Sequence, residues 1–135
     1  MDLITGNWIG EFTYGDGYGD DLRGRSVKFS MNLYYDGNIL KGTSMDEEAQ
    51  QFFRQPAIIE GTFENKVLVF YLTYQLNAVY GSKKNDHNYS SEAIQYIGHL
   101  KKKLFSKSHF FEGIWEYSRS YLGSGVWKMQ KAKKT

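Results

Sequence analysis

The sequence predicts an all-β protein that folds as an eight-stranded antiparallel up-and-down barrel. Apolar and polar residues alternate with a period of two along most of the chain, which is typical of half-buried strands. Aromatic residues make up 17% of the 135 residues and suit a pleated surface. Glycines interrupt four predicted strands, as expected where a sheet bends to close on itself. These glycines are Gly42, Gly61, Gly98 and Gly113.

Eight segments carry the strand pattern, within a single predicted domain that spans residues 1–135. They are residues 6–14, 26–35, 38–45, 57–64, 67–75, 93–102, 109–118 and 125–131. In the second segment, Phe29 and Leu33 share one face and Lys28 lies on the other. Asp36-Gly37 then predicts a tight turn into the third segment.

The same alternation, extended along the chain, predicts an aromatic barrel interior. The side chains predicted to point inward are Trp8, Phe12, Val27, Phe29, Leu33, Phe70, Leu72, Tyr96, Phe111, Trp115 and Trp127.

Three connections are longer than a tight turn. Residues 15–24 are rich in glycine and aspartate. Residues 46–55 fit a helical turn with Asp46 as its N-cap, which would carry Phe52 and Phe53 across one barrel end. Residues 76–92 exceed the usual hairpin length and are predicted to form a lid or a mobile segment.

Composition excludes several classes of site. The chain has no cysteine, so disulfides, thiolate metal sites and a cysteine nucleophile are excluded. A chain without cysteine suits a reducing compartment, and the start of the sequence lacks the pattern of a signal peptide, so a cytoplasmic location is expected. No apolar run approaches the roughly 18–20 residues of a spanning helix, so we expect no membrane partner.

The basic residues are unevenly distributed. The net charge of +2 is too small to indicate nucleic-acid binding by itself. Lysines concentrate in residues 101–107 and in a basic C-terminal tail, residues 128–135, a pattern typical of a solvated turn and tail. They do not alternate with exposed aromatic residues as in single-strand-binding barrels, which argues against a nucleic-acid partner.

Several segments resemble the avidin/streptavidin family. "ITGNW" (4–8) resembles the start of the family's first strand, and "DGNILKGTS" (36–44) resembles its Asp-Gly turn and third strand. "IIEGTFEN" (58–65) and "YIGHL" (96–100) are similar to the fourth and sixth strands. The resemblance implies a calycin-type barrel, as in lipocalins, that binds its ligand inside one open end and self-associates.

The residues that contact biotin in that family are not matched here. Where the resemblance implies a tyrosine and then a serine after the third-strand Gly-Thr, this chain has Ser44 and Asp46. Tyr74 stands at the position implied for a fifth-strand tryptophan, and Trp115 matches an aromatic wall. A site that reads a ligand through fixed hydroxyls loses affinity when those partners change, so tight biotin binding is not expected.

The predicted function is non-enzymatic binding of a small apolar or aromatic ligand in the barrel mouth. An apolar pocket with a few converging polar groups is typical of such sites. The candidate ligand-binding residues are Trp8, Ser44, Asp46, Tyr74, Tyr96, Trp115, Tyr117 and Trp127. No cofactor, metal site or catalytic residue is predicted, because His87, His99 and His109 lack the spacing of a zinc site.

Two alternatives stay open. A barrel enzyme, such as an isomerase or a hydrolase, would use Asp46 and tyrosines and would need Asp46 to be buried with a raised pKa. A structural barrel would instead have a core filled by the same aromatic residues, with Asp46 serving only as an N-cap.

The fifth segment also predicts self-association. Its residues are apolar on both faces, with Val67, Val69 and Tyr71 on the face that points away from the interior. A barrel strand needs only one buried face, so the second face predicts a homodimer or a homotetramer.

Overall fold

The computed structural model describes residues 3–75, 93–106, 108–117 and 123–133. These residues form eight antiparallel strands that close into a barrel in chain order. The strands are β1 Gly6–Tyr14, β2 Ser26–Tyr35, β3 Leu40–Asp46, β4 Ala57–Glu64, β5 Val67–Thr73, β6 Ile94–Lys102, β7 His109–Tyr117 and β8 Ser124–Lys131. A 3-10 turn, Ala49–Gln51, follows β3. The predicted fold class, an eight-stranded up-and-down barrel, is therefore confirmed.

Strand ends differ from the sequence prediction by one or two residues. β3 begins at Leu40 rather than at residue 38 because the Asp36 carboxylate accepts the amides of Asn38 and Ile39, at 2.8 and 2.7 Å. These bonds hold both residues in the turn. β5 ends at Thr73, where its pairing with β4 stops. Lys128 and Lys131, counted with a basic tail from the sequence, lie within β8.

The closed sheet has two distinguishable ends. We call the end at which β1, β3 and β7 finish the upper end; it contains Tyr14, Asp46 and Tyr117. The lower end contains Tyr35 and Lys102, where β2 and β6 finish. Residues 76–92, predicted as a lid, lie outside the described residues.

The interior is packed with the predicted side chains. All eleven residues expected to point inward are buried. The indole N–H of each of the three tryptophans also donates to a backbone carbonyl. The acceptors are Ile4 for Trp8 at 2.7 Å, Val126 for Trp115 at 3.1 Å and Ile114 for Trp127 at 2.9 Å. These bonds meet the need of a buried indole for a hydrogen-bond acceptor and fix the three rings in place.

Glycines within the strands allow neighbouring strands to approach closely. Gly113 faces Gly98 across the β6–β7 pair. A methyl group on Gly113 would overlap the carbonyl oxygen of Ile97 and lie 2.7 Å from the Gly98 Cα atom. The tight curvature between β6 and β7 therefore requires a residue without a side chain.

Among the described residues, no helix is long and apolar enough to cross a membrane.

We expect Gly113→Ala to lower the free energy of unfolding by about 3 kcal/mol, because the added methyl group has backbone rather than flexible side-chain atoms in its way. Urea denaturation measures this loss. Gly17→Ala is the matched control, because nothing lies within 4 Å of a methyl group at Gly17. Equal stability of the two variants would contradict the close approach of β6 and β7.

Candidate functional site

Asp46 is the central charged residue of the upper end. It ends β3 pointing inward, and only 5% of its surface is exposed. Its Oδ1 atom accepts the backbone N–H groups of Glu48 and Ala49 at 3.0 and 2.7 Å and so holds the chain as it enters the 3-10 turn. The predicted helical turn over residues 46–55 is shorter than expected, Ala49–Gln51, and its N-cap position is Glu48 rather than Asp46. Its Oδ2 atom accepts the Tyr74 hydroxyl at 2.8 Å. One carboxylate thus joins β3, the 3-10 turn and the end of β5.

The 3-10 turn after β3 places aromatic rings over the upper end of the barrel. Phe53 is buried and stacks on Tyr74, with ring centroids 5.2 Å apart and an interplanar angle of 16°. Phe52 is partly buried against the same core. The prediction that both phenylalanines pack across a barrel end is therefore confirmed.

Three tyrosines face the Asp46 carboxylate or one another. Burial raises the pKa of Tyr117 to about 12, and the negative charge of Asp46 adds to the rise. Burial raises the pKa of Tyr96 well above its ordinary value, again with a contribution from Asp46. Burial and the neighbouring Tyr117 raise the pKa of Tyr18. All three phenols therefore stay protonated at neutral pH and remain able to donate hydrogen bonds.

Two buried hydroxyls have no hydrogen-bond partner in the part of the chain that the structure describes. Ser44 is 5% exposed and Tyr96 is 3% exposed. Within the described ranges, neither hydroxyl forms a hydrogen bond to another residue. Buried polar groups are almost always paired, and an unpaired one commonly marks a place where water or a ligand binds. These two hydroxyls are therefore the strongest sign of a binding site in the barrel.

Aromatic side chains surround the polar groups. Trp115 lies against Phe12 and Tyr14, with ring centroids 5.8 and 6.0 Å apart, and against Tyr117 at 6.4 Å. Tyr96 stacks on Phe70 at 4.8 Å with an interplanar angle of 9°. The arrangement provides flat apolar surfaces beside a small number of hydroxyls and one carboxylate.

The ligand-binding residues predicted from the sequence do not all lie in one part of the barrel. Ser44, Asp46, Tyr74, Tyr96, Trp115 and Tyr117 gather in the upper half of the barrel, judged from their strand positions. Trp127 lies deeper, against Tyr96 at 5.4 Å. Trp8 lies near the lower end, where it contacts Phe111 at 5.3 Å.

Sequence reasoning missed part of the upper end. Tyr18 sits in the loop described from sequence only as acidic and glycine-rich, yet its ring lies 4.7 Å from that of Tyr14. Tyr14 donates to Glu48 at 2.5 Å, and Arg25 approaches the same carboxylate at 3.4 Å. The only signal for Tyr18 was an aromatic residue within a polar, glycine-rich loop.

The burial of Asp46 meets a condition set by the enzyme alternative. Burial raises the pKa of this carboxyl, although the amide of Ala49 and the hydroxyl of Tyr74 lower it. Among the described residues, no group of three histidine, aspartate or glutamate side chains is placed to hold a metal ion.

No protein-family model matches the sequence, and no curated protein matches it.

The raised pKa of Asp46 predicts how stability changes with pH. The folded protein holds this proton more tightly than the unfolded chain, so the protonated group stabilises the fold most below about pH 3.9, the ordinary value of aspartate. That contribution is lost as the pH rises through the raised folded-state pKa. We therefore expect the free energy of unfolding of the wild type, relative to Asp46→Asn, to fall as the pH rises.

Urea denaturation between about pH 3.5 and pH 7 measures this difference. Asp36→Asn is a control of opposite sign, because the amides of Ile39 and Asn38 lower the pKa of Asp36. For Asp36 the wild type should lose stability relative to the variant as the pH falls. A difference for Asp46 that rises with pH would show that burial does not dominate its pKa.

Proposed function

We propose that this protein binds a small apolar or aromatic ligand without catalysis, inside the upper end of the barrel. The observation that carries the proposal is the pair of buried hydroxyls, on Ser44 and Tyr96, without a hydrogen-bond partner among the described residues. A ligand with one or two polar atoms would meet their hydrogen-bonding capacity, while its apolar part would pack against aromatic rings.

The proposed roles follow from position. Trp115, Tyr117 and Tyr96 form the walls, while Ser44 and Asp46 orient the polar part of the ligand. Trp127 supports Tyr96 from below. The avidin-like resemblance of residues 36–44 supports this location, because that family binds its ligand inside one barrel end. Trp8 is distant from this site, and we propose that it closes the lower end.

The enzyme alternative draws support from Asp46 alone. This carboxyl is buried and its pKa is raised, which suits a general acid or base. Its oxygens, however, already accept three hydrogen bonds that hold a turn and Tyr74 in place. These bonds favour a role for Asp46 in holding neighbouring groups in position rather than in transferring a proton. We therefore retain ligand binding as the proposal.

A barrel with a filled, purely structural core is the second alternative. It accounts for the stacked aromatic residues but not for the hydroxyls of Ser44 and Tyr96, which have no partner among the described residues. In such a core, phenylalanine in place of Tyr96 and alanine in place of Ser44 would avoid the cost of burying unpaired polar groups.

Native mass spectrometry before and after denaturation tests the proposal. We expect the purified wild type to carry excess mass that is released on unfolding. Tyr96→Phe should retain less of that mass, because it removes one hydroxyl from the site. The same variant should keep or gain stability, by up to about 1 kcal/mol, because no described partner loses a bond.

Tyr34→Phe is the matched control, because Tyr34 is 63% exposed on the outer surface. It should change neither the retained mass nor the stability. A wild type without excess mass, together with a Tyr96→Phe variant that is clearly destabilised, would favour the filled structural barrel instead.

We also propose that two copies pack through the outer face of β5–β8. Strand register aligns four outward aliphatic side chains in one continuous row across these strands: Val69, Ile97, Ile114 and Val126. Ile114 and Val126 are each more than half exposed. An apolar row of this kind on an outer surface is typical of an interface between subunits.

Polar residues on β6 and β7, on either side of the aliphatic row, are placed to pair across a twofold contact. A twofold axis parallel to the strands, midway between β6 and β7, sets Ile97 of one copy over Ile114 of the other. The register then sets Gln95 over Glu116 and His99 over Glu112. These pairs are able to hydrogen-bond or attract across the contact, as a self-complementary interface requires.

Ile114→Lys should convert a dimer into a monomer, because it places a charge at the centre of the apolar row. Analytical ultracentrifugation measures the change. Ile58→Lys is the matched control, because Ile58 is 39% exposed on β4 and lies outside the row. A wild type that is monomeric at micromolar concentration, or a dimer that survives Ile114→Lys, would disprove this contact.

A further inference from the structure

The turn between β6 and β7 projects two apolar side chains from the lower end of the barrel. Leu104 is 80% exposed and Phe105 is 101% exposed, so Phe105 gains no shelter from the fold. They are the most exposed large apolar side chains among the described residues. Exposed apolar residues scattered singly are ordinary, but two adjacent ones at the tip of a projecting turn call for an explanation.

The backbone conformation of Phe105 is also unfavourable for a bulky residue. Phe105 has a φ of 60°, in the left-handed region that a bulky residue rarely occupies. The turn is fixed by bonds from the Lys103 amide to the Ser108 carbonyl, at 2.9 Å, and from the Ser108 amide to the Ser106 hydroxyl, at 3.1 Å. Glycine or asparagine would suit this backbone better. Phenylalanine at this position therefore has a strained backbone as well as a fully exposed side chain. Neither the strain nor the exposure stabilises the fold.

Lysines surround this tip. Lys102 and Lys103 precede it and are exposed, and the ammonium group of Lys103 donates to the neutral Gln130 side chain at 2.6 Å. Lys66 lies beside them, because its carbonyl accepts the amide of Leu100 at 2.8 Å. Lys131, at the end of β8, donates to the Thr5 carbonyl at 2.8 Å. The Lys131 ammonium group also lies 5.8 Å from the centroid of the Trp8 ring. Among the described residues, none of these four lysines is paired with a carboxylate.

Acidic residues offset little of this charge. Lys101 is paired with Glu112 at 2.5 Å, on the side wall of the barrel. Within the described part of the lower end, Asp36 and Glu64 are the acidic residues, against Lys66, Lys102, Lys103, Lys131 and Lys133. The lower end is thus positively charged around an apolar tip.

We propose that the lower end docks on an anionic lipid bilayer, with Leu104 and Phe105 inserted at the interface and the lysines against lipid headgroups. Phenylalanine and leucine on a membrane-binding surface insert at the boundary between headgroups and acyl chains, and clustered lysines are attracted to anionic leaflets. A protein partner is the weaker fit, because lysine is depleted in protein interfaces. Docking of this kind needs no spanning segment, so it departs from the expectation of no membrane partner that rested on the lack of such a segment.

The orientation leaves the proposed ligand site free. The tip lies at the lower end, whereas Ser44, Asp46 and Tyr117 lie towards the upper end. A docked barrel would therefore present its upper end to the solvent, and the two proposals stand independently.

Co-sedimentation of the full chain with large vesicles tests the proposal. We expect binding to vesicles that contain about 30% phosphatidylserine in phosphatidylcholine, and at least about tenfold weaker binding to phosphatidylcholine alone. Binding should weaken between about 0.1 M and 0.5 M NaCl, because salt screens the lysines. Failure of the wild type to bind the anionic vesicles would overturn the proposal.

The decisive variant is Leu104→Ser with Phe105→Asn. We expect it to bind anionic vesicles at least about tenfold more weakly than the wild type. Its melting temperature should be equal or higher, because asparagine tolerates the left-handed backbone. Ile58→Ser, at an exposed apolar residue of β4 towards the upper end, should bind like the wild type. Undiminished binding by the double variant would assign the attraction to the lysines alone and would overturn the insertion of the tip.

Discussion

The pairing of β1 with β8 is the constraint on which the rest of this structure depends. The register runs from Trp8 opposite Lys131 to Tyr14 opposite Gly125 and leaves no free sheet edge. Because the sheet is closed, every strand has one face inside, and alternate side chains have to fill a fixed volume. The aromatic interior and the strand glycines follow from that requirement.

The two ends of the barrel meet this requirement differently. At the lower end the interior is filled by rings in mutual contact, with Phe63 at 6.0 Å from Tyr35 and at 5.9 Å from Phe111. The Tyr35 hydroxyl is satisfied there by the Phe63 carbonyl at 3.0 Å. At the upper end, no described residue provides such a partner for the hydroxyls of Ser44 and Tyr96. Among the described residues the two ends therefore differ in how their buried hydroxyls are satisfied, and the proposed ligand site rests on that difference.

The outer surface carries two further features that use different parts of the barrel. The aliphatic row from Val69 to Val126 lies on the side wall, and the Leu104-Phe105 tip lies at the lower end. A dimer formed through the wall would leave both barrel ends accessible, so assembly, bilayer docking and ligand binding are geometrically compatible. Two tips in one dimer would also strengthen docking through avidity.

The sequence by itself determined the strands, their order and their inward faces, because alternation and turn residues act locally. It also indicated that Asp46 holds the turn after β3, since its carboxylate bonds to amides only two and three residues further on, although the N-cap position itself is Glu48. Only the tertiary structure decided which buried hydroxyls lack a partner among the described residues, that Tyr18 joins the upper end and that Trp8 does not. The aliphatic row and the exposure of Phe105 likewise depend on register and burial. These are relations between strands distant in sequence, which local patterns do not record.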